Sequence, residues 1–166
     1  AFGNAVRELL RMADIVTSMF KDVLRVFENQ SKDLIEGIEE RDDKVDLLDR
    51  EIKFYLSKIS QVVLTEEQAK RELQLIAFGS DLEHVGDVID KNIMPLARKK
   101  MKLGLVFSRE GWSDLCTFYQ KVLENFELSV AAFASGDKEL AMKILRHKKS
   151  LAQVEMELKQ AHLNRL

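Results

Sequence analysis

The stretch Asp42-Asp43-Lys44-Val45-Asp46-Leu47-Leu48-Asp49 decides how the rest of the chain is read. It lies in a segment whose apolar positions recur at helical spacing, Ile35, Ile38, Val45, Ile52, Leu56 and Ile59. Asp42 and Asp49 fall inside that stripe, where a helix packed in a bundle carries apolar side chains. A buried carboxylate is costly unless something satisfies it. The candidates are a cation, a basic partner, or fraying of the bundle at that height. The wider run from Glu28 to Glu51 holds ten acids and four bases, which in itself is the usual make-up of a solvated helix face.

Helical periodicity extends outward in both directions. A first helix is predicted over about Asn4–Glu28, with Val6, Leu9, Ala13, Val16, Phe20 and Val23 in its stripe. The second runs over about Lys32–Val63. Thr65-Glu66-Glu67-Gln68 reads as a capping box opening a third helix to about Lys102. Pro95 should kink that helix or thin its last turns. Gly79 and Gly86, seven apart, share one face and point to close helix approach rather than a hinge. Ser108 is expected to cap a fourth helix ending near Ala134, Gly136 to close it, and Asp137 to cap a fifth that continues to Leu166.

The fold class is therefore all-α, an antiparallel bundle of about five helices. One proline and seven glycines in 166 residues leave too few turns for a β-sandwich or a doubly wound sheet. A weak internal repeat runs through it. Val23, Leu24, Phe27 and Glu28 match Val122, Leu123, Phe126 and Glu127, and Ile38, Val45 and Ile52 match Ile144, Leu151 and Leu158. Helices four and five thus look like a second copy of helices one and two, which divides the chain into 1–104, a three-helix repeat, and 105–166, a repeat lacking its last helix. An uncovered apolar face on the second repeat must be met by another chain, so a homodimer is expected.

Composition excludes several functions. The longest run without a charged residue is nine, Leu128 to Gly136, far short of the roughly 20 residues that span a bilayer. The net charge of −2 gives no basic field for nucleic acid. Cys116 alone permits neither an internal disulfide nor a cysteine zinc cluster, fits a reducing compartment, and is expected to be packed. The opening Ala1-Phe2-Gly3-Asn4 has no signal-peptide character, and without a methionine it suits either trimming or excision from a longer chain. No catalytic serine, phosphate loop or HExxH motif is present. An enzyme would have to be a di-metal hydrolase or oxidase, and no Glu has the His three residues on that di-iron bundles use.

Helix three carries Ser80, Glu83, Asp87 and Asp90 along one strip. Folding helices two and three into a hairpin about position 64.5 sets Asp42 level with Asp87 and Asp46 level with Glu83, about 30 Å from the turn at 1.5 Å per residue. Four carboxylates at one height cannot all stay ionised without a counterion. All-oxygen donors suit Mg²⁺, Mn²⁺, Ca²⁺ or oxidised iron better than Zn²⁺. The bland alternative is four surface acids in water. His84 is expected at the surface, and Trp112, Phe118, Phe126 and Phe133 in a core or interface. The basic end of helix three, Arg98-Lys99-Lys100-Met101-Lys102, favours the helix dipole, with contact to anionic lipid or to a transporter as the sharper alternative.

Two motifs carry a family likeness. Asp81-Leu-Glu-His-Val-Gly-Asp87 resembles the acidic signature of PhoU-like domains, and Asp42 to Asp49 resembles their second carboxylate signature. Arg11-Met-Ala-Asp14-Ile15, Val88-Ile-Asp-Lys-Asn92-Ile93 and Ala161-His162-Leu-Asn-Arg165-Leu166 are similar to the cytoplasmic C-terminal PhoU-like domain of bacterial sodium/phosphate cotransporter-family proteins. The resemblance implies tandem three-helix bundles and metal binding, by iron, zinc, manganese or magnesium, at Asp42, Asp46, Glu83 and Asp87. It implies a regulatory role in phosphate transport with no chemical step, at the cytoplasmic face of the membrane, against the membrane domain of a transporter. A free-standing adaptor between a phosphate ABC transporter and a sensor kinase is the alternative within the family. In the second repeat Lys148 stands for Asp42 and Ala152 for Asp46, so a second metal site is not expected there.

Overall fold

The computed structural model describes residues 2–61 and 63–165. Leu166, where the last helix was expected to end, lies outside them. Among the described residues six α-helices follow one another: α1 (Phe2–Asn29), α2 (Lys32–Ile59), α3 (Glu66–Asp87), α4 (Met94–Leu103), α5 (Arg109–Ser135) and α6 (Lys138–Asn164). A π-helical segment, Val88–Ile93, joins α3 to α4, so the two make one continuous rod. The expected third helix is therefore present with its interruption where Pro95 predicts trouble. The proline ring clashes with the carbonyl four residues back, at Lys91, and the i→i+5 spacing of the π segment falls across that point.

The caps explain the boundaries. Ser31 Oγ accepts from the Leu34 N–H at 3.2 Å and starts α2. The capping box at α3 is complete: Thr65 Oγ1 accepts from Gln68 N–H at 3.2 Å, and Gln68 Oε1 accepts from Thr65 N–H at 3.0 Å. Ser108 caps α5, and Asp137 caps α6 by accepting from the N–H groups of Glu139 and Leu140. Between those two helices Gly136 takes φ +68°, the left-handed region that a C-cap glycine reaches without strain.

Two compact units result, Ala1–Leu103 and Gly104–Leu166. In the first, α1, α2 and α3 pack on one another around Leu9, Met12, Val16, Met19, Ile35, Ile38, Leu56, Leu75 and Leu82, all buried. The glycines fix the register. A Cβ on Gly79 would lie 3.1 Å from Leu9 Cδ2 and 3.3 Å from Asp49 Oδ1. One on Gly86 would lie 2.8 Å from Asp42 Oδ1, with Met19 Cε at 3.9 Å. From 42/86 to 49/79 the α2 number rises as the α3 number falls, so α2 and α3 run antiparallel about position 64; 9/79 and 19/86 rise together, so α1 and α3 run parallel. Arg41 bridges α2 to α1 through Ser18 Oγ at 2.9 Å and Asp22 at 2.8 Å. At the basic end of the rod, Arg98 donates to Glu39 at 2.8 Å.

The second unit is the hairpin of α5 and α6. Leu123 is the one buried apolar residue described there. The expected core aromatics Trp112, Phe118, Phe126 and Phe133, and Cys116, are half-buried. Two helices alone cannot close over one another's apolar faces. They leave a groove of about 910 Å³ along their open end, bordered by Phe107, Leu115, Phe118 and Leu158. No described helix is long and apolar enough to cross a membrane.

Candidate metal centre

The site lies where α2 meets the end of α3. Asp42 points into the bundle because it occupies a core position of α2, and its residue is only 2% exposed. Room for it exists because Gly86 faces it: any side chain there would overlap the Asp42 carboxylate. Asp46, one turn on, follows on the same flank of α2. Asp87 approaches from α3. Ligand oxygens of Asp42, Asp46 and Asp87 all lie within 4.8 Å of one another. The Oδ1 atoms of Asp42 and Asp46 are buried and have no hydrogen-bond partner. An orphaned buried carboxylate oxygen is among the costliest polar atoms a fold can carry.

The electrostatics follow. Burial, then the charges of Asp46, Asp90 and Asp87, push the Asp42 carboxyl up to about 7. Burial and the charges of Asp87, Asp46 and Asp49 also raise Glu83. Burial raises Asp90 as well, partly offset by its hydrogen bond with Asp42. One cation answers the cluster from outside: Lys91, a turn beyond Asp87, ion-pairs with it from an exposed position. Asp49, the other aspartate in the core stripe, is answered differently. It sits over Gly79 and accepts from Lys53 Nζ at 2.6 Å. Of the three ways to satisfy the stripe aspartates, Asp49 takes a basic partner, and fraying is absent, since α2 is helical through both positions.

Three of the four residues singled out in the sequence, Asp42, Asp46 and Asp87, thus come together. Glu83 stands beside them, close enough to feel Asp87 and Asp46 but outside the three-oxygen set. The hairpin arithmetic was half a residue off, with 64 as the centre rather than 64.5. Two contributors were not among the expected ligands. Asp90, from the π segment, helps raise the Asp42 carboxyl. Gly86 forms the floor under it. The seven-residue spacing of Gly79 and Gly86 equals that of Asp42 and Asp49, and this match was the available signal. His84 is exposed, as expected. Chemically, the cluster offers hard oxygen donors at one point, an arrangement suited to a single hard cation.

Proteins described as "Putative inorganic phosphate export protein YjbB", from Salmonella typhimurium strain LT2, Escherichia coli O157:H7 and Escherichia coli K12, are each 28% identical to the chain over 166 residues. The match takes in all of this chain and 30% of each relative, so the chain spans about 30% of the length of the curated relatives it matches. No solved structure matches it. The family model described as the PhoU domain matches residues 9–93, more than half of the chain. That span contains α2, α3, the π segment and every carboxylate of the cluster, and on this ground the chain belongs to the PhoU domain family.

Proposed function

We propose that the chain is a regulatory domain, without a chemical step of its own, that controls phosphate transport and responds to a metal ion held by Asp42, Asp46 and Asp87, with Glu83 as an adjacent fourth donor. The observation that carries this reading is the pair of buried, unpartnered Oδ1 atoms on Asp42 and Asp46, two members of the cluster with Asp87. Hydrogen bonding within the protein leaves them unsatisfied, and a cation would satisfy both at once. Iron, manganese, magnesium and zinc are the candidates, with the oxygen donors favouring the harder ions. Membership of the PhoU family and the phosphate-export description of the relatives support the link to phosphate.

In this reading the carboxylates do two things. Bound to a cation, they join α2 to the junction of α3 and the π segment. Without it, their repulsion loosens that junction. The surface so tightened or loosened would act on the membrane domain of a sodium-coupled phosphate transporter, in the same or a separate chain, from the cytoplasmic side. The domain would work as a homodimer, with 1–104 as a complete three-helix repeat and 105–166 as an incomplete one.

The test is metal content by plasma mass spectrometry on protein purified without a His tag. Wild type should retain one metal per chain, and Asp46→Asn/Asp87→Asn should retain none while keeping its helical circular dichroism. A wild-type protein that takes up no metal after addition of Mn²⁺, Fe or Zn²⁺ would sink the metal reading and leave a plain helical interaction module.

A further inference from the structure

α6 has two apolar faces. The first, through Leu140, Ile144, Leu151, Val154 and Leu158, is half-buried in its own hairpin. The second faces away and is exposed. Its apolar members are Met142, Leu145, Ala152, Met156 and Leu163, of which Met142 is 55%, Leu145 56%, Met156 69% and Leu163 61% exposed. Adding Lys149 and Lys159 gives a spacing of 3, 4, 3, 4, 3, 4 across three heptads, the a and d pattern of a coiled-coil seam. Five of the seven seam positions are apolar and the other two are lysines.

The charges say which partner fits. Taking Met142 as an a position puts Lys148 and Glu155 at successive g positions. In an antiparallel pair of identical helices, g faces g. A register centred at 150–151 then brings Lys148 of each helix within two residues of level with Glu155 of the other, on the same flank, two opposite-charge contacts related by the twofold axis. The same register lays Lys149 over Ala152 and Lys159 over Met142, where long lysine stems can cover apolar surface with their heads in water. A parallel pair would stack Lys149 on Lys149 and Lys159 on Lys159. Glu155 already pairs with Lys159 of its own helix at 2.6 Å, an exposed contact that leaves it able to accept a second cation.

We propose that the outer face of α6 is a dimer interface, pairing antiparallel with α6 of a second copy about residues 150–151. This makes specific the homodimer of the proposed function and uses none of the metal cluster, so its failure would leave the carboxylate reading standing.

Sedimentation equilibrium of the full chain should give a species of twice the 19.1 kDa chain mass. Met156→Glu should return it to monomer with unchanged circular dichroism, because Met156 is 69% exposed in the single chain and its loss removes no core. Lys148→Glu and Glu155→Lys should each weaken the dimer several-fold, and the double variant should recover it. In a Cys116→Ser background, Lys149→Cys chains mixed with Ala152→Cys chains should form a mixed disulfide dimer on oxidation. A monomer at every concentration, a dimer indifferent to Met156→Glu, or Lys149→Cys cross-linking only with itself would each overturn the proposal.

Discussion

The two units start from similar helical hairpins and end in different states. In α1 and α2 the hairpin is roofed by the α3 rod, and every buried apolar side chain described, Leu123 excepted, belongs to that first unit. Among the described residues no third helix covers the α5–α6 hairpin, and Leu123 is its one buried apolar side chain. The lesson is that the third helix, more than the stripe on the first two, turns an amphipathic hairpin into a folded unit. The largest expected effect tests this directly. Leu9 is fully buried against Gly79, so Leu9→Ala should cost about 2–5 kcal/mol. Leu158→Ala, the same change on a half-buried position of α6, should cost about 1 kcal/mol. Hydrogen exchange read by mass spectrometry resolves the two units, and equal losses of protection would break the contrast.

The second difference is acidic against basic. Asp42 and Asp46 are held inside the first unit, whereas Lys148 and Ala152, which stand for them in the repeat, are exposed on α6. Only the first unit should therefore carry a strong pH dependence. The Asp42 carboxyl titrates at about 7 in the fold and at 3.8 in an unfolded chain. Between those values the folded state holds the extra proton, so stability falls as pH rises through that window. Raised Glu83 and Asp90 act in the same direction. Metal-free protein should lose a few kcal/mol between about pH 4 and pH 7 at a pKa shift equivalent to about 1.4 kcal/mol per unit. Asp42→Asn should flatten that slope in melting curves recorded in chelator. A melting temperature that rises across the window would contradict the burial of an unpaired carboxylate.

Much of this was legible in the sequence because it rests on local chemistry. Thr65 with Gln68, Ser108, Gly136 and Asp137 each declare a helix end by the hydrogen bond they make, and each does so in the structure. The site was legible for a related reason. Two aspartates in an apolar stripe, and a hairpin with a short turn, fix height within a residue. What was not legible depends on backbone detail. The π segment shifts the residues after Asp87 around the axis, and Asp90 in that segment, rather than Glu83, bears on the Asp42 carboxyl. The half-burial of Trp112, Phe118 and Phe126 was not legible either, since periodicity shows that a face is apolar but not whether anything covers it.

The smallest effect separates a glycine that serves the site from one that serves the chain. Gly86→Ala and Gly136→Ala are the same substitution. In mid-helix, alanine is better than glycine by about 1 kcal/mol of propensity, so Gly86→Ala starts with a gain. The new Cβ would lie 2.8 Å from Asp42 Oδ1, and the atom that must yield is the tip of a side chain, not backbone. The carboxylate can swing away, so stability should change by less than about 1 kcal/mol, yet its ligand geometry is lost. At Gly136 nothing lies within 4 Å of the new Cβ, but φ is +68°, so the alanine is strained and should cost about 1 kcal/mol, with metal retention unchanged. Denaturant midpoints and metal content on the same two samples read both outcomes. A Gly86→Ala protein that is destabilised by several kcal/mol would mean that Asp42 is pinned rather than mobile, and that the glycine is there for packing alone.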